Sequence, residues 1–574
     1  MSVDLNIKIG GEAGQGLQTI SSVLSKTLLR GGYNVFESQY FLSRIRGGHN
    51  YSQIRVSNEE ILSKKENVDI LIALDRSSID QHVDELSGGV ILIDKNEIDI
   101  EDEISSIFHV PFSDIANDVS GNKLYTNTVA TGAVLGLLCY DFEYLAEVLT
   151  DYFRSKGDEV VQKNIDAAKA GYDYSQENYS QKCYFSLQSI DNTSNKILIT
   201  GNEAIGLGAI AAGLKFLSAY PMSPSTGALI YVAQKADQYN IIVEQAEDEI
   251  AALNMAIGAS FAGARSMVTT SGGGFSLMAE ALGLAGITET PVVIYIGQRP
   301  GPATGLPTMT EQGDLEFVIH ASQGEFPRCV LAPATAEDAF YLTARAFNIA
   351  DKYQIPVFIL ADQYLVDSSF TSKIFETSRI SRDRYILSAD EIESMDEYKR
   401  YRITDSGISP RAIPGVAKKL VIADSDEHNE IGHIDQTSEN RIIMNDKRLR
   451  KTEGLKNEIY PPRIYGSERA DLTFIGWGST YGPLKESVDI LNKSGFNVNL
   501  IHFNEVYPLP AKTIQKIFSD VEKCVCVENN ATGQFARVLK IETGVEISDT
   551  ILKYDGLPFT TDYIINQVHE RKMI

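Results

Sequence analysis

The chain has 574 residues, of which 43% are hydrophobic and 22% charged, and it carries a formal net charge of −25. That composition is ordinary for a soluble globular protein, and the length suits three or four domains of about 150 residues each. The acidity argues against a nucleic-acid partner, which would need a basic face. No run reaches the roughly 18 consecutive apolar residues of a membrane span.

In chain order, a strand over residues 7–9, the loop Gly10-Gly-Glu-Ala-Gly-Gln-Gly16 and an amphipathic helix over 17–29 open the first domain, predicted over 1–185. The opening strand carries no basic leader, which predicts a cytoplasmic protein. The loop spacing, G-x-x-G-x-G, is not the dinucleotide fingerprint G-x-G-x-x-G, so a nicotinamide-dependent dehydrogenase is the weaker alternative. A glycine loop before a helix can still receive phosphate on free N–H groups. Strands over 34–38, 51–56, 69–74 and 89–94 complete an α/β sheet, and the apolar stretch 130–140 predicts a buried helix. Residues 174–195 are polar and aperiodic and are expected to form a linker.

The second domain, predicted over 195–380, begins with Lys196-Ile-Leu-Ile-Thr200. Its centre is a strand over 239–243, the acids Glu247, Asp248 and Glu249, and a helix of small residues over 250–264. A second strand over 265–270 then meets Ser271-Gly-Gly-Gly274 and another helix. Strand–acid–helix followed by strand–glycine loop–helix places both loops at the carboxyl edge of a parallel sheet, where open α/β folds bind ligands. Acids in a first helical turn also simply offset the positive helix end, by about 0.3–1 kcal/mol each, so the pattern acquires meaning only from its neighbours. These are Tyr220-Pro-Met-Ser-Pro224 upstream and Gln298-Arg-Pro-Gly-Pro-Ala-Thr-Gly-Leu-Pro-Thr-Met-Thr-Glu-Gln-Gly-Asp-Leu315 downstream.

Residues 381–465 are charged and irregular, yet rich enough in aromatic and branched side chains to predict an ordered connector. Within it, Asp424-Ser-Asp-Glu-His-Asn-Glu-Ile-Gly-His433 collects acids and histidines without metal-ligand spacing, and a solvated loop is expected. A third α/β domain is predicted over 466–574. There are five cysteines, Cys139, Cys183, Cys329, Cys524 and Cys526, with no C-x-x-C among them. They argue against an iron–sulfur cluster held by this chain and are expected to be reduced and mostly buried, with Cys524 and Cys526 on one face of a strand.

The four motifs around 220, 249, 271 and 299–315 occur in an order that resembles the fused γα ("alpha") subunit of the thiamine-diphosphate-dependent 2-oxoacid:ferredoxin oxidoreductases, over essentially the whole chain. The resemblance implies three α/β domains: a CoA-associated γ-type domain, a pyrimidine-binding thiamine-enzyme domain and a transketolase C-terminal-like domain. It implies CoA-dependent oxidative decarboxylation of a 2-oxoacid, 2-oxoglutarate above pyruvate or a branched-chain acid, with electrons passed to ferredoxin. Glu249 aligns best with the carboxyl that shares a proton with the aminopyrimidine ring, Glu247 and Asp248 being the alternatives. A carboxyl shielded from water holds its proton near neutrality, as that role requires.

By the same resemblance, Ser223, Arg299 and Thr308 are expected to bind the substrate carboxylate, a cation and hydroxyls being suited to it. Tyr220, Pro221, Ser271, Gly272 and Gly273 are expected to bind the cofactor, and Gly14, Gly16 and Arg46 to contact coenzyme A. Ser223, Met309 and Gln323 stand where the family more often has Thr, Arg and His, which leaves the choice of 2-oxoacid open. The diphosphate motif is missing, since Tyr554-Asp-Gly556 lacks its downstream partner. The Mg2+ and the [4Fe-4S] cluster are therefore expected on a β subunit, in an αβ heterodimer or a dimer of heterodimers. Ferredoxin is expected to dock mainly on that partner, because both it and this chain are acidic. A non-catalytic scaffold derived from such an enzyme is the remaining alternative.

Overall fold

Three β-sheets, with helices packed against them, account for most of the chain in the computed structural model, which describes residues 3–44, 47–98, 100, 106–179, 185–190 and 195–574. The chain divides into two compact units, one of residues 1–199 with 368–374, the other of 200–367 with 375–574.

In the first unit, the strand Asp4–Glu12 lies at the middle of an eight-stranded sheet, antiparallel to His49–Ser57 and parallel to Val68–Ala73. Its inward residues Ile7 and Ile9 are fully buried. The apolar stretch near residue 130 is the buried helix Thr126–Leu137, as its composition predicts. Gly132 and Gly136 let it approach the helix Asp158–Tyr179, because a Cβ at Gly136 would stand 2.5 Å from the Tyr172 carbonyl oxygen.

Two sequence expectations change here. Residues 174–179 continue the helix Asp158–Tyr179 instead of opening a linker, held by the Tyr179 ring stacked on Phe108 at 4.4 Å. Polar periodicity alone does not register that aromatic anchor; residues 180–184 and 191–194 lie outside the described set. The strand Lys196–Thr200, read as opening the second domain, and Ser369–Lys373 instead extend the sheet of the first unit. An apolar run announces a strand but not which sheet it pairs with.

The second unit contains a seven-stranded sheet whose parallel members run Ile242–Gln245, Phe216–Ala219, Ser266–Thr270, Val292–Gln298, Pro356–Asp362 and Cys329–Leu331 in spatial order. All of Ser266–Thr270 and Val292–Gln298 is buried, as strands covered on both faces must be. A five-stranded sheet over Arg463–Leu552 follows, and one core cluster joins Phe275 and Phe358 to Trp477, Phe503 and Phe535. The strand Glu505–Tyr507 crosses to pair antiparallel with Cys329–Leu331, so the C-terminal segment completes the seven-stranded sheet.

The expected connector is ordered. Its helix Ser438–Lys456 buries Lys447 and Lys451 against Glu289. Among the cysteines, Cys329, Cys524 and Cys526 are free and buried, the last two in the same core, whereas Cys139 is disulfide-bonded and departs from the expected free thiol. Cys183 lies outside the described residues. No helix among the described residues is long and apolar enough to cross a membrane.

Candidate active site

The parallel strands of the seven-stranded sheet all end on one edge, and the motifs around 220, 249, 271 and 299 start there. Phe216–Ala219 lies between Ile242–Gln245 on one side and Ser266–Thr270 on the other, so the chain order reverses across it. Such a switch point leaves a crevice beyond the strand ends.

The three acids separate sharply. Glu247 is exposed, and Asp248 is the helix N-cap, its side chain accepting from the Ala251 N–H at 2.7 Å. Glu249, the first residue of the helix Glu249–Phe261, is only 4% exposed. Its carboxyl lies against Gly274, where a Cβ would stand 2.7 Å from Oε1 and 2.9 Å from Cγ. Thr270 Oγ1 is nearer still, so the missing side chain at Gly274 leaves room for both groups.

The loop Ser271–Gly274 opens the helix Gly272–Ile287, with Ser271 and Gly272 buried and Gly273 exposed. A Cβ at Gly273 would come 3.6 Å from the Ala303 carbonyl oxygen and 3.9 Å from Met222 Sδ, so this glycine faces both neighbouring loops. Tyr220 and Ser223 are exposed and Pro221 is half-buried. Arg299 is half-buried and donates from Nη1 to the Ser223 carbonyl at 2.8 Å, joining two of the expected substrate residues. Thr308 is buried farther along the same loop, beside Met309, which packs against Gly556.

Sequence reasoning quoted Gln298, Glu311 and Asp314 but assigned them nothing. Their signal was their position, at a strand end and in the loop that follows it. Gln298 Oε1 accepts from the Asp314 N–H at 3.1 Å, and the Asp314 carboxyl covers Gly272, where a Cβ would lie 2.6 Å from Cγ. Ser271 Oγ, Gln298 Nε2 and Asp314 Oδ2 are buried with no hydrogen-bond partner among the described residues. Burial first and the neighbouring Glu311 second push the Asp314 carboxyl up to about 7, against the pull of Arg299. Burial likewise raises Glu311 and lowers Arg299, the latter opposed by Asp314.

The C-terminal segment fixes this loop from behind. Gln312, fully buried, donates its backbone N–H to the Asn529 carbonyl at 2.7 Å and its Nε2 to the Trp477 carbonyl at 2.9 Å, and accepts from the Asn529 N–H at 3.0 Å. Glu528 is the hub beneath, accepting from the Phe535 and Ala536 N–H groups at 2.8 and 2.9 Å and from Trp477 Nε1 at 3.2 Å. Asp555, in the Tyr554–Gly556 segment that resembles a partial diphosphate motif, is ion-paired to Lys553. In the 424–433 segment, Glu427 pairs with Arg448 and Arg441, and His428 is buried against Tyr401 at 4.0 Å. Among the described residues no set of three His, Cys, Asp or Glu is placed to hold a metal ion.

A buried carboxyl cradled by a glycine and flanked by an open glycine loop suits an aminopyrimidine ring. Such a carboxyl can share a proton with a ring nitrogen.

The first unit holds a cavity of ≈ 380 Å³ lined by Gly14, Gly16, Tyr40, Arg44 and Tyr51. Gly16, at φ 78°, starts the helix Leu17–Arg30 without a side-chain cap; the Thr19 N–H bonds back to the Gly16 carbonyl at 3.0 Å, which leaves the Leu17 and Gln18 N–H groups as those that could face an anion. Tyr40 and Tyr51 stack at 5.0 Å with planes 6° apart, and Lys8 Nζ lies 4.4 Å from the Tyr51 ring centre. A ligand with phosphates and a flat ring fits this lining; Arg46 lies outside the described residues. A larger groove of ≈ 830 Å³ is lined by Lys26, Arg30, Tyr144, Tyr152 and Lys196, with Arg30 paired to Glu147 and Asp151.

Comparison with known proteins agrees along the whole length. Residues 207–447 match the family described as pyruvate flavodoxin/ferredoxin oxidoreductase, thiamine diP-bdg. Residues 6–174 match pyruvate ferredoxin/flavodoxin oxidoreductase, and 470–561 match pyruvate:ferredoxin oxidoreductase core domain II. The 2-oxoacid:ferredoxin oxidoreductase subunit alpha of Sulfolobus sp is 33% identical over 96% of this chain and 95% of its own. The 2-oxoglutarate oxidoreductase subunit KorA of Mycobacterium tuberculosis is 28% identical over 97% and 90%. The structure of 2-oxoglutarate:ferredoxin oxidoreductase from Magnetococcus marinus, with 2-oxoglutarate, coenzyme A and succinyl-CoA bound, superposes with a TM-score of 0.92, 32% identity and 99% of each chain covered.

Proposed function

Because the chain belongs to the 2-oxoacid:ferredoxin oxidoreductase alpha-subunit family, we propose that it is the pyrimidine-binding half of an enzyme that converts a 2-oxoacid and CoA to acyl-CoA and CO2, passing the electron pair to ferredoxin. The observation that carries the reading is Glu249, buried at the start of its helix and cradled by Gly274. 2-Oxoglutarate is the favoured substrate, supported by the likeness to KorA subunits and to the Magnetococcus marinus enzyme. A branched-chain acid or pyruvate is the second reading, favoured by the apolar Met309 in the substrate loop.

When bound, thiamine diphosphate supplies the carbon nucleophile for the keto group and accepts the electron pair left as CO2 departs. Glu249 would turn its carboxyl toward a pyrimidine nitrogen, with which a carboxyl can share a proton. Tyr220, Pro221 and Ser271 to Gly273 border the ring, and Gly273, lacking a side chain, leaves it room. Arg299 binds the substrate carboxylate, assisted by Ser223 and Thr308. Coenzyme A binds in the cavity at Gly14 and Gly16, its phosphates on the helix start and its base against the Tyr40–Tyr51 pair. The Mg2+ that binds the diphosphate and the [4Fe-4S] cluster belong to a β subunit, without which this chain is inactive. The enzyme is cytoplasmic.

The test is viologen or ferredoxin reduction by this chain co-expressed anaerobically with its β subunit, supplied with CoA, thiamine diphosphate and magnesium. CoA-dependent reduction is expected with 2-oxoglutarate, and weaker or no reduction with pyruvate and 2-oxoisovalerate. A cofactor-replete complex inert toward all three would overturn the enzyme reading. In the same assay, Gln312→Ala should lower kcat/KM by roughly tenfold to 100-fold, since a misplacement of about 1 Å in a substrate loop costs that much. A thermal melt shifted by only a few degrees would accompany it, the lost amide leaving the Trp477 carbonyl and Asn529 N–H unpaired at about 1–3 kcal/mol.

A further inference from the structure

The loop that begins at Arg299 ends in a second acid pressed onto the first turn of the glycine-loop helix. Asp314 sits where Gly272 leaves room for its carboxyl, and its Oδ2 is buried without a hydrogen-bond partner among the described residues. The charged groups that act on it are Glu311, on the same loop, and Arg299; Glu249 flanks the other side of the helix start, on Gly274. Arg299 makes no ion pair with Asp314 among the described residues, donating instead to the uncharged Ser223 carbonyl. An anion binding at Arg299 therefore meets a cation whose charge is not spent on a direct ion pair, with Asp314 the acid that acts on it. In a shielded crevice an ionised Asp314 would oppose that anion more strongly than it would in water.

We propose that Asp314 takes up a proton when a 2-oxoacid carboxylate binds at Arg299, so that it acts as a proton-coupled selector for the anionic substrate. The proposal rests on the reading of Arg299 as the substrate clamp. Burial first and Glu311 second favour the acid, Arg299 favours the anion, and the balance lies near neutrality, at about 7. A bound anion raises that value further. Below neutrality Asp314 is already uncharged, and substrate binds without a change in protonation. Above it, each binding event draws one proton from solvent, so KM rises by up to tenfold per pH unit until the value in the bound state is passed.

The experiment uses the assembled complex with its preferred 2-oxoacid, measuring KM from about pH 6 to about pH 9 and the heat of binding in two buffers of unlike ionisation enthalpy. The wild type should show a rising KM and proton uptake above neutrality. Asp314→Asn should hold KM near its low-pH value throughout and abolish the uptake. Asp314→Glu should keep a slope with a displaced onset, which separates titration from a packing defect, and Glu311→Gln should move the onset to lower pH without flattening it, because the Glu311 charge raises Asp314. If Asp314→Asn keeps the wild-type slope while Arg299→Gln raises KM, the proposal falls alone. If Arg299→Gln leaves KM unchanged, the substrate clamp falls and the proposal with it.

Discussion

Replacing Glu249 by Gln is expected to lower kcat by about a hundredfold to ten-thousandfold, the range that a positioned acid or base contributes, with thiamine diphosphate still bound. The glutamine amide has the shape of the carboxyl, so the contact with Gly274 and the first helical turn survive. What disappears is the proton that a carboxyl can share with a ring nitrogen. The neighbours provide the internal controls. Glu247 is exposed, and Glu247→Gln should stay close to the wild-type rate. Asp248→Asn should do so as well, because asparagine caps a helix about as well as aspartate and can still accept from the Ala251 N–H. Single-turnover reduction of the complex, with cofactor occupancy measured by calorimetry, separates a chemical defect from a binding defect. A Glu249→Gln complex that binds cofactor and keeps full rate would remove Glu249 from the mechanism and return the choice to Asp248.

The sequence is legible where local rules decide. The strand–loop–helix order around 220, 249, 271 and 299 places each motif at a strand's carboxyl end, and the parallel sheet of the second unit puts those ends on one edge. Which of three adjacent acids turns inward is not legible from propensity, because all three suit a first helical turn. It follows from the Asp248 cap, which commits the next side chain to the glycine loop. Asp314 escaped notice because its environment is made by Gly272, distant in sequence, and by burial that no local pattern encodes. Gln312 escaped for a related reason: its partners, Trp477 and Asn529, come from the C-terminal segment. That segment backs the loop that carries the candidate clamp. Edge pairing was the least readable feature of all, since Lys196–Thr200 and Ser369–Lys373 join a sheet that their own side chains do not specify.

Removal of the Glu289 carboxyl, as in Glu289→Ala, is expected to destabilise the second unit by about 3–5 kcal/mol, the cost of breaking a buried ion cluster from one side. Glu289 is 1% exposed, with Lys447 Nζ at 2.5 Å from Oε1 and Lys451 Nζ at 2.5 Å from Oε2. Arg400 adds a third cation, donating to the Glu289 carbonyl at 2.8 Å. These cations hold the carboxyl well below the usual carboxylate range, while burial pulls Lys451 down to about 8. The backbone reports the same demand, because Glu289 keeps φ at 49°, a region where a residue with a side chain pays roughly 1–2 kcal/mol.

The pH dependence follows from those directions. The carboxyl's contribution is present above the unfolded carboxylate value and is lost as pH falls toward the depressed folded one. Lys451 acts oppositely: its folded value lies below the unfolded one, so its cost is greatest below about 8 and fades as pH rises toward the unfolded lysine value. Glu289 also stands just past the helix Gly272–Ile287, whose first turn is the glycine loop, so the cluster anchors the far end of that helix to the connector. Thermal unfolding should therefore show Glu289→Ala melting well below the wild type. Replacing the cluster as a set, Glu289→Leu with Lys447→Met and Lys451→Met, should recover most of the loss, because no charge is then left unpaired among these three positions. A Glu289→Ala chain that melts with the wild type would mean that water reaches Lys447 and Lys451 and that the connector is held by its apolar contacts instead.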